Sequence, residues 1–147
     1  MHDYYRSRAT YYDRVYDIPE RQEDLVILKQ KVADTFVHRH VLEIACGTGY
    51  WSQFIAPIAS GLTATDASPE VIEVARDRGH CRDVDFRIQD AYSLDLDQSD
   101  FSGLFCGLWI SHVPKEKLRS YLIETHQQLA KGAVVLIVDN SERQCDE

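Results

Sequence analysis

The fold is decided by residues 40–49, which read HVLEIACGTG. Val41, Leu42 and Ile44 form a short apolar run, and the run ends at Gly47. This pattern is typical of a buried strand. Because glycine has no Cβ, backbone N–H groups at the turn into a following helix can lie close to a bound molecule. Residues 40–49 therefore predict a buried strand followed by a binding loop.

The segments on either side alternate between helical and strand patterns. Residues 23–36 repeat apolar side chains at helical spacing, and Ser68-Pro69-Glu70 is a typical helix start. We predict strands at 40–46, 62–66, 84–90, 101–109 and 133–139, and helices at 23–36, 49–58, 68–79 and 114–132. The alternation predicts an α/β fold of three layers, α/β/α, around a mostly parallel sheet. In such sheets ligands bind beyond the carboxyl ends of the strands, where the strand order reverses.

Composition limits the class of protein. The 147 residues include 16 Lys and Arg and 24 Asp and Glu, which gives a net charge of −8. Nucleic acid and anionic membranes are poor partners for such a chain, because cations supply most of that affinity. The four cysteines and the histidines lack metal-site spacing. We therefore expect one cytoplasmic domain over residues 1–147, without metal, nucleic acid or membrane.

The glycine spacing distinguishes between nucleotide-binding loops. A dinucleotide fingerprint has a third glycine three residues after the second, so that the helix can pack close to the strand. Ser52 stands at that position here, and the bulky Tyr50 and Trp51 precede it. A Walker loop is excluded, because no Gly-Lys-Ser/Thr follows. The spacing disfavours a nicotinamide-dependent oxidoreductase, which remains an alternative.

The segment Glu43-x-Ala45-x-Gly47-x-Gly49 resembles motif I of the class I S-adenosylmethionine-dependent methyltransferases, with alanine at the first glycine position. Asp66 stands 66 − 49 = 17 residues after Gly49. It matches the acidic residue that accepts hydrogen bonds from both ribose hydroxyls in that family. The resemblance implies a Rossmann-like methyltransferase fold, with S-adenosyl-L-methionine as cofactor and S-adenosyl-L-homocysteine as product.

The resemblance extends over about residues 40–139 and implies further contacts. Asp90 and Ala91, after the third strand, match the pair that meets adenine. Trp109 lies in the loop after the fourth strand, where the family has residues that face cofactor and acceptor. Glu43 matches the residue that supports the methionine end of the cofactor. The implied cofactor-binding set is Tyr12, Glu43, Ala45, Gly47, Gly49, Asp66, Ala67, Asp90, Ala91 and Trp109.

Each of these residues also has a structural interpretation. The two glycines would serve a tight turn alone. Glu43 would form an ion pair inside its apolar strand, where an unpaired carboxylate is costly. Asp66 would be a turn residue at a strand end. Because the matches occur in the right order at successive strand ends, we favour the cofactor interpretation for Asp66 and Asp90.

His112 is the catalytic candidate. A histidine beside the reacting centre can remove a proton from a hydroxyl acceptor. It can equally be a loop residue that hydrogen-bonds the start of the following helix. Transfer to an amine with a free lone pair needs no base, since alignment carries much of the barrier. Both interpretations of His112 stay open.

Tyrosines are concentrated at the N-terminus, where five of the eight lie in the first 16 residues. Tyr5, Tyr12 and Tyr16 share one helical face, which indicates plain packing of a helix within residues 1–20. The family resemblance implies a second interpretation, a lid over the cofactor, because aromatic faces attract a sulfonium cation. Tyr12 is the contact expected of such a lid.

The chain ends soon after its fifth predicted strand, whereas the family's sheet usually has seven strands. Residues 134–138 would then form a long apolar edge, which proteins normally cover. Three explanations stay open: the chain is a fragment, a partner such as a second copy covers the edge, or the sheet is rebuilt. We expect a sheet of about five strands, with strands six and seven missing.

Together these patterns predict an S-adenosylmethionine-dependent methyltransferase acting on a small-molecule acceptor. The alternative is a non-catalytic module, or a truncated inactive methyltransferase, that binds the cofactor or its product and acts through a partner. The expected partners are the methyl acceptor and a second copy of the chain at the edge of the fifth strand.

Overall fold

A computed structural model describes residues 11, 13–97 and 99–141. Within these residues the chain forms one sheet of five parallel strands in the order β3-β2-β1-β4-β5. The order reverses beside β1, because the chain moves outward through β2 and β3 and returns to β4 on the other side. The expected five-stranded parallel sheet is confirmed. The strands are β1 His40–Ile44, β2 Gly61–Asp66, β3 Asp85–Ile88, β4 Phe101–Gly107 and β5 Leu129–Val138.

The central strand β1 pairs with β2 on one side and β4 on the other, so that Leu42 lies between Thr63 and Leu104. Val41, Leu42 and Ile44 have no solvent exposure. A parallel strand in the middle of a covered sheet is buried on both faces, which explains why its sequence is continuously apolar.

Helices cover both faces of the sheet. Helices α1 to α3 contribute Leu25, Ile55 and Ile72 to one buried cluster, and α4 contributes Tyr121 to the other. Alternate residues of β1 serve the two clusters, Val41 the first and Leu42 the second, because successive strand side chains point to opposite faces. This is the expected three-layer arrangement. The helices are α1 Gln22–Phe36, α2 Ser52–Ile55, α3 Pro69–Arg76 and α4 Lys115–Gln127.

The end of the fourth helix was wrongly predicted. Helix α4 ends at Gln127, and β5 begins at Leu129, before Gly132. Gly132 has a φ of +80° and lies in an irregular part of the strand, where the register with β4 shifts after Phe101. The apolar pattern alone could not distinguish a helix closed by glycine from a strand with a bulge.

The edge strand β5 carries exposed apolar side chains on one face of the sheet. Val135 is 47% exposed and Ile137 is 38% exposed. Leu122 of α4 is 48% exposed, whereas its neighbour Tyr121 is buried. The expectation that a second copy covers this edge stays a prediction. Within the described ranges, no helix is long and apolar enough to cross a membrane.

Gly103 in β4 gives a test of how tightly α1 packs on the sheet. A Cβ at this position would lie 2.9 Å from Cδ1 of Phe36 and 3.2 Å from Cγ2 of Val41. We expect Gly103→Ala to lower the free energy of unfolding by about 1–3 kcal/mol, because overpacking forces the buried ring to shift. Urea denaturation measures the change. Gly79→Ala is the control, since nothing lies within 4 Å of a Cβ there, and an equal loss in both variants would contradict the packing argument.

Candidate functional site

Two adjoining cavities lie at the carboxyl ends of β1, β2 and β4. The first has a volume of about 430 Å³ and the second about 290 Å³. They meet at the four residues that line both, Ala45, Asp66, Gly107 and Leu108. This position beside the reversal of strand order is where open parallel sheets bind their ligands.

The loop after β1 presents its backbone to the first cavity. Gly47 has a φ of +55°, and nothing lies within 4 Å of the position a Cβ would take. Ala45 also has a φ of +55°, a left-handed conformation that glycine adopts more easily. This conformation explains why the family pattern has glycine at the position of Ala45. Both residues line the first cavity.

Gly49 serves helix packing. It is buried with a φ of +80°, and a Cβ there would lie 3.0 Å from the Cβ of Ala75 in α3. It lines neither of the two cavities. The sequence grouped Gly49 with the cofactor-binding residues, whereas the structure places it between the loop and the neighbouring helix.

Asp66 lies at the end of β2 with its carboxylate in a fixed orientation. Oδ2 accepts a hydrogen bond from the Gly47 N–H at 2.9 Å, and Oδ1 accepts one from the Ser68 N–H at 3.0 Å. A carboxylate has about four acceptor positions, so each oxygen retains a lone pair for a further donor. The side chain therefore joins the loop to β2 and remains able to accept hydrogen bonds in either cavity.

Glu43 is a carboxyl group buried in the wall of the first cavity. It is 2% exposed, and its Oε2 accepts a hydrogen bond of 2.5 Å from the Ser52 hydroxyl. Burial raises the pKa of Glu43 to about 8, with a smaller raising effect from Asp66, while the bond from Ser52 lowers it. None of the ion pairs within the described residues involves Glu43, so the ion-pair interpretation finds no support.

Trp51 stands directly before the position of the third glycine and lines the first cavity. Its indole is 3% exposed, and a Cβ on Gly107 would lie 2.9 Å from Cδ1 of this ring. Gly107 therefore allows the indole to pack over the end of β4. Ser52, at the third glycine position itself, donates to Glu43. The residues that depart from the dinucleotide pattern therefore help to form the wall of the first cavity. Trp51 lines it, and Ser52 binds Glu43, which also lines it.

The second cavity collects the residues after β2, β3 and β4. Ala67, Asp90, Ala91 and Trp109 all line it. Asp90 accepts a hydrogen bond of 2.9 Å from the Tyr92 N–H through Oδ1, so one oxygen orients the following turn. Asp90 and Ala91 are the pair that the resemblance assigned to adenine, and they lie together with Ala67 and Trp109 from the rest of the implied cofactor-binding set.

His112 is exposed at the first cavity, in the 3₁₀ turn Ile110–His112. Asp139, directly after β5, holds this turn by accepting hydrogen bonds from the backbone N–H of Ser111 at 2.8 Å and from its hydroxyl at 2.9 Å. Asn140 lines the same cavity. The turn that carries His112 is therefore fastened to the end of the last strand.

The N-terminal part of the described chain lies against the same cavity. Asp13 and Tyr16 line it, and the Tyr16 ring stacks on Tyr50 with centroids 3.7 Å apart. The Tyr16 hydroxyl accepts a hydrogen bond from Nε1 of Trp51 at 3.0 Å, and burial raises its pKa. Tyr12 and most of the predicted lid helix lie outside the described residues.

The two cavities thus contain most of the residues that the sequence singled out. Sequence reasoning missed Asp13, Thr48, Leu108 and Asn140, which also line the first cavity. Asn140 lies two residues after the end of β5. Because ligands bind beyond the carboxyl ends of parallel strands, this position could have marked Asn140 as a candidate site residue. Within the described ranges, no group of three or more His, Cys, Asp or Glu side chains could hold a metal ion. The predicted residues that line the cavities are Glu43, Ala45, Gly47, Asp66, Ala67, Asp90, Ala91, Trp109 and His112.

A family model described as a methyltransferase domain matches residues 41–132. The chain belongs to this methyltransferase family. The match covers β1 to β4 and the start of β5, so it includes most of the strand ends that form the two cavities. The resemblance to class I S-adenosylmethionine-dependent methyltransferases is confirmed.

Curated relatives of this methyltransferase domain are O-methyltransferases by name. A ubiquinone biosynthesis O-methyltransferase of Xanthomonas oryzae is 35% identical over 77 residues, which cover 50% of this chain and 32% of that protein. A malonyl-[acyl-carrier protein] O-methyltransferase of Bacillus cereus is 30% identical over 99 residues, covering 65% of this chain and 36% of that one. The matched region spans about a third of these relatives.

Solved structures share the methyltransferase fold over nearly the whole chain. A complex named DhpI-SAH has a TM-score of 0.81 at 30% identity and covers 97% of this chain and 68% of its own. A complex named DhpI-SAM-HEP has a TM-score of 0.76 at 31% identity, covering 98% and 67%. The Rossmann-like methyltransferase fold that the sequence predicted is confirmed.

The buried carboxyl of Glu43 predicts a pH-dependent stability. Between the ordinary pKa of 4.5 and the raised value of about 8, the folded state retains a proton that the unfolded state has lost. The free energy of unfolding should therefore fall as pH rises through this window, by about 1.4 kcal/mol per pH unit at the steepest. Chemical denaturation across this window measures the slope.

Two variants isolate the contribution of Glu43 to this slope. Glu43→Gln should flatten the dependence, because the amide does not titrate. Glu73→Gln, an exposed change on α3, should leave the wild-type slope in place. Equal slopes for the wild type and Glu43→Gln would show that the carboxyl ionises as readily in the folded state as in the unfolded one.

Proposed function

We propose that this chain is an S-adenosylmethionine-dependent methyltransferase that acts on a hydroxyl group of a small-molecule acceptor. The observation that carries the proposal is the position of Asp66 between the two cavities, with each oxygen oriented by one backbone N–H. Membership of the methyltransferase family supports the cofactor. The names of the curated relatives support oxygen as the acceptor atom.

The residues of the two cavities fit the parts of the cofactor. Asp66 would accept hydrogen bonds from both ribose hydroxyls, since its oxygens retain lone pairs. Asp90 and Ala91 in the second cavity would meet the adenine, beside the Trp109 ring. In the first cavity, the open approach at Gly47 would admit the methionine end. When bound, the cofactor supplies an electrophilic methyl group on a positively charged sulfur.

The charge of the first cavity also fits this ligand. Among the described residues that line it, three are acidic, namely Asp13, Glu43 and Asp66, and none is Lys or Arg. Asp13 is paired with Arg78, so the wall favours a cation over an anion once Glu43 ionises. Glu43 would face the ammonium group of the methionine end, which would favour release of its proton on binding.

In the transfer itself, the contribution of the chain is mainly positioning. His112 would take the proton from the acceptor hydroxyl as the methyl group is transferred. Asp139 orients its turn through Ser111. Tyr16 and Leu108, which line the same cavity, would exclude water from the acceptor.

A non-catalytic binding module is the second candidate function. The exposed apolar edge of β5 favours it, because such an edge fits a covering partner. The module would hold the cofactor or its product and act through a protein on that edge, such as a second copy of the chain.

Asp66→Ala tests the cofactor site. We expect the variant to bind S-adenosylhomocysteine about 1.5–3 kcal/mol more weakly, roughly 10- to 150-fold, which is the range for hydrogen bonds to a charged group. Isothermal titration calorimetry measures the dissociation constant. Asp83→Ala removes an exposed carboxylate that lines neither cavity and should bind like the wild type. An unchanged constant for Asp66→Ala would remove this residue from the site.

His112→Asn separates the enzyme from the binding module. Methyl release from S-adenosylmethionine is measured with a panel of phenols, aliphatic alcohols and amines. For a hydroxyl acceptor we expect the variant to lose about 10²–10⁴-fold in kcat, the usual contribution of a general base, while its affinity for S-adenosylhomocysteine is retained. Binding by the wild type without turnover on any acceptor would favour the module, and an unchanged kcat would exclude His112 as the base.

A further inference from the structure

Arg78 stands outside every motif of the sequence, yet its guanidinium joins two separate parts of the site. It lies two residues after the end of α3. Nε donates to the backbone carbonyl of Thr48 at 2.6 Å, and Nη2 donates to the Thr48 hydroxyl at 3.3 Å and to Oδ2 of Asp13. The Thr48 hydroxyl donates in turn to Oδ1 of Asp13 at 2.8 Å. The three side chains therefore form a closed ring of hydrogen bonds.

This ring fixes the glycine loop. Thr48 is buried and stands between Gly47 and Gly49, both of which have positive φ. A loop with glycines on either side of one residue has wide conformational freedom unless another group restrains it. Arg78 supplies that restraint, since it binds both the carbonyl and the hydroxyl of Thr48.

The same ring fastens residues 13–16, which we call the strap. At one end Asp13 binds Arg78 and Thr48. At the other end Tyr16 stacks on Tyr50 and accepts a hydrogen bond from Trp51. The strap thus lies across residues 48–51, and Asp13, Val15 and Tyr16 line the first cavity. It forms part of the wall that a molecule in this cavity would contact.

The ion pair between Arg78 and Asp13 lies in a partly buried position. The side chains of Arg78 and Asp13 are 19% and 22% exposed, so water screens the pair less than it screens an exposed pair. The pair Arg87–Asp85 on β3 has the same chemistry but is more exposed, at 31% and 49%. It lines neither cavity and serves as the matched control.

We propose that Arg78 is a positioning residue that latches the strap onto the glycine loop, and that the Asp13–Arg78 ion pair sets how long the methyl-donor nucleoside stays bound. This inference rests on the proposed function, because it takes the first cavity as part of the cofactor site. Opening of the strap breaks the ion pair and exposes the cavity wall on the side of residues 48–51. Closing restores the loop conformation and the wall together.

The test measures how fast S-adenosylhomocysteine leaves the protein, by chasing prebound radiolabelled ligand with an excess of unlabelled ligand. We expect Asp13→Ala and Arg78→Ala each to raise the dissociation rate about tenfold, as truncation of a partly buried charge pair does. The double variant should dissociate no faster than the faster single variant, because both changes open the same ring of hydrogen bonds. High salt should accelerate release from the wild type more than from the double variant.

Three further variants distinguish the latch from a general loss of structure. Asp13→Asn keeps an oxygen that can accept from Thr48 and removes only the charge, and we expect an intermediate dissociation rate from it. Asp85→Ala and Arg87→Ala should leave the rate unchanged. Additive effects of Asp13→Ala and Arg78→Ala, or unchanged rates with a lower melting temperature, would overturn the latch and leave a merely structural ion pair.

A second measurement needs no ligand. Trypsin cleaves after Arg14, inside the strap, and mass spectrometry identifies that cut. In the ligand-free protein we expect faster cleavage there in Asp13→Ala and Arg78→Ala than in the wild type and the Asp85 and Arg87 controls. Equal cleavage in all of them would overturn the latch. A wild type that binds no S-adenosylhomocysteine would overturn the proposed function, while this cleavage pattern still decides whether the ion pair holds the strap closed.

Discussion

Parallel pairing of β1 with both β2 and β4 is the constraint on which the rest of the structure depends. A strand with parallel neighbours on both sides needs a crossover on each side, and the two crossovers leave a crevice beyond its carboxyl end. Gly47 and Asp66 close one side of this crevice through the bond from the Gly47 N–H to the carboxylate. The site therefore follows from the strand order, and the side chains determine what enters it.

The three carboxyl groups that line the first cavity have three different environments. Asp66 is oriented by backbone N–H groups and keeps acceptor positions for a ligand. Asp13 is neutralised by Arg78. Glu43 is buried with a single hydroxyl donor, so that burial favours its protonated form. A cavity with little free negative charge before binding can still match a cation once Glu43 ionises, which avoids the cost of three uncompensated charges in one place.

The sequence predicted those parts of the site that depend on local pattern. The apolar run before Gly47 follows from strand burial, and strand direction brings Asp66 and Asp90 to the same edge of the sheet. Their assignment to a cofactor came from the family resemblance. The ring of Asp13, Thr48 and Arg78 joins residues 65 positions apart and depends on how a chain segment packs, which no periodicity encodes.

The exposed edge of β5 bears on the acceptor side of the site more than on the cofactor side. The contacts assigned to the cofactor come from the ends of β1 to β4, whereas the turn that carries His112 is tied to residues at the end of β5. Ser111 binds Asp139, and the Leu108 N–H donates to the Val138 carbonyl at 2.7 Å. A strand with a register shift near its start and an open outer edge is less constrained than a central strand. A partner that covered that edge would therefore tighten the position of His112 before it altered the residues proposed to hold the nucleoside.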